Sequence, residues 1–528
     1  MSTDSSVASL PLEIFVDIFG HAARDAHDAY IRSLKHEALP TDPERACPYS
    51  WIRLTHVCRV WRWIALTAPA LWSDVSIIDA DATDEIVART NGRNITVTFR
   101  LPKSGEDDLP WEQIDNRMDV YALLIQDDIH RITALTVPAM LELFIAPSVA
   151  NAKQLRSITM LAPSIGNGAP GPAPFAFPAL EHLEYRCPGH FSPVRMFSPT
   201  LRSLVVQPLW EDVSVPRDPV RLLTAPELVR ALARMPLLES LDVRLRDASE
   251  DEQVQTVAAS RLRRVRLMGN TTACAYILKH VALPRDVQLA VECLADQVRN
   301  ADVTVPVLHA LATTLVANGN APVAPCHALS IEADAEPFVF RGWRSADPAG
   351  VRGEPDISLL CLREGRSADF EALLRPFTVR AVQQIRIARV PRDLFGTSVG
   401  LSAVVRGKNL RHLVLDGAEA VHALEVLVST TATDVTLADI NFKPSEPAEA
   451  ERWLDAWAIT DTPVSPDEPS SIADLAELLL NRAAEGRSLR RLEIVGAKNV
   501  KADGIENVRK HVGELRWDGA EVVHLRPA

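Results

Sequence analysis

The chain has 528 residues, of which 47% are hydrophobic, and a formal net charge of −13 at pH 7. That length exceeds one ordinary compact domain, so several domains or one repeat array is expected. The apolar fraction excludes disorder of the whole chain, and the negative balance disfavours nucleic acid as a partner. Seven cysteines stand at 47, 58, 187, 274, 293, 326 and 361, with no CxxC pair. Scattered and odd in number, they read as reduced and mostly packed thiols, Cys58 among them. MSTDSSVASLPLEIF lacks the basic-then-apolar order of a secretory signal, and no run of 18 apolar residues occurs. A location in the cytoplasm or nucleus, without membrane attachment, is the expectation.

Residues 1–7 read as a flexible N-terminus. In LPLEIFVDIF, residues 10–19, Leu10, Ile14, Ile18 and Phe19 recur at helical spacing. Pro11 and Glu13 suit a first helical turn. In WIRLTHVCRVWRWIALTAPALW, residues 51–72, Leu54, Val57, Cys58, Trp61, Ile64 and Ala65 recur at three and four residues. That spacing predicts one amphipathic helix of about four turns, ended near Thr67 and Pro69. Trp61, Trp63 and Trp72 give this small unit more large apolar surface than its own core can bury.

These two segments together resemble the F-box-like motif in its fungal form. The matching residues are Leu10, Pro11, Glu13, Ile14, Ile18 and Phe19, then Val57, Cys58, Arg59, Trp61, Arg62, Ile64, Ala65, Pro69, Leu71 and Trp72. The resemblance covers about residues 8–78. Its halves are separated by residues 20–50, an insertion longer than the compact family pattern, which reads as a helix continuation plus a surface loop. The resemblance implies docking on a Skp-type adaptor and, through it, connection to a cullin–RING ubiquitin ligase. On that analogy Leu10, Pro11, Ile14, Ile18, Val57, Trp61 and Trp72 form the adaptor interface or its immediate support.

Residues 79–528 carry a recurring phrase, Leu-x-x-Leu-x-Leu/Val, usually with Arg or Glu after the first leucine. It begins at 155, 180, 201, 238, 262, 410, 489 and 512, with a weaker form at 432. ISLLCL at 357 and VQQIRI at 382 resemble its strand portion. Several spacings fall between 21 and 25 residues, within the leucine-rich-repeat range. LVRALARMP near 228 and ADLAELLLNRAAEG at 473–486 read as the helices of such units. The expected fold is therefore α/β: a small helical module followed by an irregular leucine-rich-repeat solenoid with parallel strands on its concave face. Residues 270–400 fit poorly, and an α/β assembly of another kind stays open. GNGAPGPAPFAFP at 166–178, RGWRSADPAGVRGEP at 341–355 and TPVSPDEPS at 462–470 read as loops, with Trp343 a recognition residue or a loop anchor.

Strand alternation sharpens the repeat reading. If the later apolar positions of each phrase face the core, the residues between them face outward. These are Ser157 and Thr159, His182 and Glu184, Ser203 and Val205, Ser240 and Asp242. Arg264 and Arg266, His412 and Val414, Arg491 and Glu493, and Glu514 and Arg516 follow. His182, Glu184, Asp242, Arg264, Arg266, His412, Arg491 and Arg516 are the candidate target-binding residues. Arg264 and Arg266 make a basic spot suited to acidic groups on a target protein.

No phosphate-binding glycine loop, HExxH, GxSxG or EF-hand loop occurs. Cys326 and His327 are adjacent, but two ligands are too few for a structural zinc site. No catalytic residue, cofactor or metal is expected. The leading expectation is a non-catalytic substrate receptor of a cullin–RING ligase, which binds an adaptor and an unknown target protein. A leucine-rich scaffold without ligase association, and an unrecognised hydrolase or transferase, are the alternatives.

Overall fold

The N-terminal helical signal folds into a small helical module in the computed structural model. The structure describes residues 11–34, 47–77, 80–99, 111–138, 150–161, 177–186, 193–207, 223–246, 255–284, 286–293, 327–333, 338–344, 355–361, 382–388, 409–416, 430–438, 471–497 and 500–518. Helix α1 spans Leu12–Leu34. Phe15, Phe19, Ala23, Ala26 and Tyr30 follow one another at three or four residues, and all are buried. The start of the 20–50 insertion is thus a continuation of the first helix.

The stretch expected to be one helix over 51–72 is three pieces. A 3-10 turn covers Ser50–His56, helix α2 covers Arg59–Thr67, and a second 3-10 turn covers Pro69–Trp72. The first break falls at Cys58, whose backbone is extended at φ −157° and ψ 171°. Its Sγ accepts the N–H of Trp61 at 3.5 Å, so the thiol caps α2 and is exposed where a packed thiol was expected. Pro69 stops α2 because it offers no N–H to continue the helix. Trp72 is buried, and its Nε1–H donates to the Ala65 carbonyl at 2.8 Å. Trp51 packs edge-on against it at 5.1 Å between ring centroids, and the Arg89 guanidinium lies 4.5 Å from the ring centre.

The chain divides into two units, Met1–Leu223 with Ala231–Arg244, and Thr224–Arg230 with Leu245–Ala528, and the helical module belongs to the first. The first contains strand β1 (Asp74–Ile77), helix α3 (Ala80–Arg89), strand β2 (Ile95–Phe99), helix α4 (Trp111–Asp128) and strand β3 (Ile132–Pro138). Strands β4 (Ser157–Leu161), β5 (His182–Arg186) and β6 (Ser203–Val206) follow. The short β7 (Leu223–Thr224) and helix α5 (Ala225–Leu232) precede β8 (Ser240–Arg246), with Thr224–Arg230 and the last two residues of β8 counted in the second unit. From β1 to β6 each strand lies parallel to the next, and β6 lies parallel to β8. Tyr121 of α4 meets Phe99 at 5.4 Å, which places α4 on the apolar face of this ladder. The edge of β1 is met by Tyr49. Its hydroxyl donates to the Ser76 carbonyl at 3.1 Å and accepts the Ser76 N–H at 2.7 Å, and burial pushes that phenol's pKa up.

The second unit contains β9 (Val257–Ala258), β10 (Arg264–Gly269), helix α6 (Thr271–His280), β11 (Val281–Ala282) and β12 (Gln288–Cys293). Strands β13 (Ala328–Ala333), β14 (Phe338–Trp343), β15 (Ile357–Cys361), β16 (Gln384–Ala388), β17 (His412–Asp416) and β18 (Asp434–Ala438) come next. Helix α7 (Ile472–Ala484), β19 (Leu489–Val495), helix α8 (Ala502–Arg509) and β20 (Val512–Trp517) complete it. β10 lies parallel to β12, and β16 to β20 form a parallel run in chain order. Between these runs the order changes. β12 pairs with β15, β13 pairs with β16, and β14 is antiparallel to both β13 and β15. Antiparallel neighbours need only a hairpin, whereas parallel ones need a crossover that brings the chain back to the same end. The leucine that anchors a crossover is therefore not required in the β13–β15 hairpins, whereas β12 and β16 pair in parallel without it, Val382 being buried where the leucine would stand before β16. Trp343, expected in a loop, is the buried last residue of β14.

The phrase has a direct structural meaning elsewhere. Its leucines Leu155, Leu180, Leu201, Leu238, Leu262, Leu410 and Leu489 are all buried. The residue after each lies where a strand begins. In the first unit the Arg156 carbonyl accepts the N–H groups of Glu181 and His182, both at 2.8 Å. The Glu181 carbonyl accepts those of Arg202 and Ser203 at 2.7 and 3.0 Å, and the Arg202 carbonyl those of Glu239 and Ser240 at 2.7 and 2.9 Å. The carbonyls of Gln383, Arg411 and Thr433 repeat the pattern in the second unit. Both units are thus α/β ladders of a solenoid-like, leucine-rich-repeat-like kind.

Helix α7 is anchored by a buried arginine. Arg482 donates from Nη1 to the Thr430 carbonyl at 2.7 Å and from Nη2 to the Ala432 carbonyl at 2.6 Å. Burial lowers its pKa to about 10, so it is still charged at neutral pH. Leucine at 482 would leave both carbonyls without these donors, at a cost of roughly 2–4 kcal/mol. Urea unfolding of Arg482→Leu should show that loss, and an unchanged midpoint would refute the anchoring role.

Candidate functional site

Register turns the first ladder into ordered rows. On the face opposite the apolar layer, Ser157, His182, Ser203 and Ser240 form one row, and Thr159, Glu184, Val205 and Asp242 form the next. Ile158, Leu183, Leu204 and Leu241 point the other way and are buried. His182 is exposed and the others are half-buried. The outward set is the one that strand alternation predicts. Glu184 is held by Arg186 Nε at 2.5 Å and by the Thr159 hydroxyl at 3.4 Å, while Asp242 accepts from Gln207 Nε2 at 2.6 Å. These contacts hold the carboxylates in place ahead of any ligand.

The same rows change character toward β1. Ser76, Thr98 and Thr136 continue the second row and are buried. Tyr30 of α1 packs against Leu161, an outward position of β4, with Ile31 beside it. The far end of α1 therefore sits on the open face at β4.

In the second unit the outward row reads His412, Asp434, Arg491 and Glu514 across β17 to β20, with Val414, Thr436, Glu493 and Arg516 beside it. Its charges are mostly paired internally. Arg491 lies 3.0 Å from Glu493, Arg516 lies 2.8 Å from Glu514, and Arg386 pairs with Asp416. Arg264 and Arg266 are exposed as expected, but the basic spot is partly cancelled. Arg266 is bound by Glu292 of β12 at 2.7 Å. The sequence marks β12 only as QLAVEC, without the repeat phrase, so its carboxylate could not be placed beside Arg266 in advance.

Asp434 is the most enclosed acid of this face. Arg490 grips both carboxylate oxygens, with Nε to Oδ1 at 2.9 Å, and His412 Nδ1 lies 3.5 Å from Oδ2. The hydrogen bonds from Arg490 hold the Asp434 pKa below the usual carboxylate value, against the opposing effect of burial.

On the helical module, Leu10 lies outside the described residues. Pro11, Ile14, Ile18 and Val57 are exposed. Trp61 packs its ring against Phe15 and Phe19, at 5.7 and 5.3 Å, and is half-buried. Trp72 is interior and can support a docking surface without forming part of it. Three exposed apolar residues were not singled out in the sequence: Leu12, Val60 and Leu66. Trp63, 58% exposed, joins them. The readable signal was the three-residue spacing of Val60, Trp63 and Leu66, out of phase with Trp61, Ile64 and Ala65.

Among the described residues no helix is long and apolar enough to cross a membrane, and no group of three or more His, Cys, Asp or Glu could hold a metal ion. No protein-family profile matches the chain, and no curated protein matches it in sequence.

The lowered pKa of Asp434 sets a sign for acid stability. Its charged form is favoured by folding, so the contribution is complete above the unfolded pKa of ~3.9 and is lost as pH falls through the folded value. The stability advantage of the natural chain over Asp434→Asn should therefore be present at neutral pH and shrink below about pH 4. Urea midpoints of both proteins across that range measure it, and a gap independent of pH contradicts the role of the carboxylate.

Proposed function

We propose that this chain is a protein-binding scaffold that holds a target protein on the open face of its first ladder. The observation that carries this reading is the ordered outward set on β4 to β8. Hydroxyls, an imidazole, two pre-held carboxylates and one valine stand on a hydrogen-bonded frame, spread along the ladder. Such a surface suits recognition of another folded surface, and a rigid frame lowers the entropy cost of binding. An enzyme pocket would converge its polar groups instead, so the reading is non-catalytic. The test is capture of the target by the full chain, with Thr159→Arg and Val205→Arg introduced together on the open face. Capture should fall at least roughly tenfold. Arg234→Glu, in the turn after α5, should leave it intact, and equal loss in both variants would sink the reading.

The exposed apolar side chains of the module favour a second reading, in which the scaffold is also the substrate receptor of a cullin–RING ligase. Here the module docks on a Skp-type adaptor, and the transfer chemistry belongs to the partners. Val60→Glu with Trp63→Glu leaves the Trp61 and Trp72 packing in place. It should abolish co-purification with the adaptor while target capture persists. Absence of adaptor from the natural full-length chain overturns this second reading and leaves the first standing.

A further inference from the structure

The loops that lead into the strands of the first unit line a groove of about 510 Å3, apart from the outward rows of β4 to β8. Asn94, just before β2, stands at one end, and Leu237, just before β8, at the other. At the ~4.8 Å spacing of paired strands it spans roughly 24 Å, the length of about seven extended residues. Its walls carry Lys153, Arg156 and Arg202 against Glu181. This is a local excess of positive charge in a chain whose formal charge is −13.

The cations are not equally committed. Arg202 is paired with Glu239 at 2.8 Å. Arg156 is 67% exposed and meets Glu181 only at 3.4 Å. Lys153 is exposed, and its ammonium has no ion-pair partner among the described residues. Two cations with spare donors therefore stand together at the start of β4. Glu181 offers an acceptor beside them, its Oε2 lying 3.9 Å from Arg202. The amides of Asn94 and Gln154, which can both donate and accept, complete the walls with the hydroxyls of Thr133 and Thr200, which donate to the Ile95 and Leu180 carbonyls and can still accept.

We propose that this groove binds an extended, acidic peptide segment of another protein. Carboxylates of the segment meet Lys153 and Arg156, and its main-chain N–H groups meet Glu181 and the neutral amides. A phosphate polymer fits the same cations but brings few donors for Glu181, whereas a peptide main chain supplies N–H groups to it. The site is independent of the open-face reading, because its side chains, Thr133 at the start of β3 apart, belong to the lead-in loops.

The test uses the full chain and fluorescence anisotropy at low salt. The probes are a peptide of about eight residues alternating Glu and Ser, its Gln and Ser counterpart, and a single-stranded oligonucleotide of similar length. The Glu peptide should bind at least roughly tenfold more tightly than the Gln peptide, and more tightly than the oligonucleotide. Lys153→Gln with Arg156→Gln should weaken it by a similar factor without moving the thermal midpoint. The open-face variant carrying Thr159→Arg and Val205→Arg should bind it no more weakly than the natural chain. If the double groove variant is destabilised, Lys153→Gln alone decides, and it should weaken the Glu peptide several-fold. Equal affinity for the two peptides, binding of neither, preference for the oligonucleotide, or unchanged affinity in the folded groove variant overturns the proposal.

Discussion

A single carbonyl that receives two consecutive N–H groups sets the geometry of both ladders. It occurs where a strand begins, at Arg156, Glu181 and Arg202 in one unit and at Gln383, Arg411 and Thr433 in the other. A slip of one residue would break this pairing and turn the apolar side chains of the strand outward. The buried leucine just before the carbonyl residue in most of these phrases returns the chain to the same end each time. Hydrogen bonding and burial thus specify the same register, and each is weak without the other.

Side chains at this position extend the effect in the first unit. Arg156, Glu181, Arg202 and Glu239 alternate in sign along consecutive strands, with neighbours at 3.4, 3.9 and 2.8 Å. Exposed pairs of this kind add little stability, about 0–1 kcal/mol each. Their larger effect is on order, since exchanging two strands would bring like charges together. In the second unit the equivalent arginine, Arg490, turns instead to Asp434. That ladder ties its charges within the outward face, whereas the first leaves Lys153 and Arg156 partly free.

Much of this was legible where a local rule applied. The phrase marked β4, β5, β6, β8, β10, β17, β18, β19 and β20, and alternation placed Ser157, His182 and Ser203 outward because a strand has a period of two. The meander of β13 to β15 was not legible, because hairpin pairing leaves no leucine signature. The break at Cys58 was hidden since 3-10 and α turns share nearly the same apolar spacing, and only the cap distinguishes them. The partner of Arg266 escaped for a different reason: Glu292 lies on a neighbouring strand, and no local pattern announces neighbours.

The packing around Trp72 has a consequence for how this architecture could be recombined. One face of the indole is met by Arg89 of α3, and the edge of β1 is met by Tyr49 from the module. Each side of the module–ladder boundary therefore completes the other's unfinished surface. A homologous module transplanted onto this ladder would have to bring its own phenol and indole at the same heights. Shuffling by gene fusion near residue 73 would strand both, so the two parts are expected to be inherited as one piece.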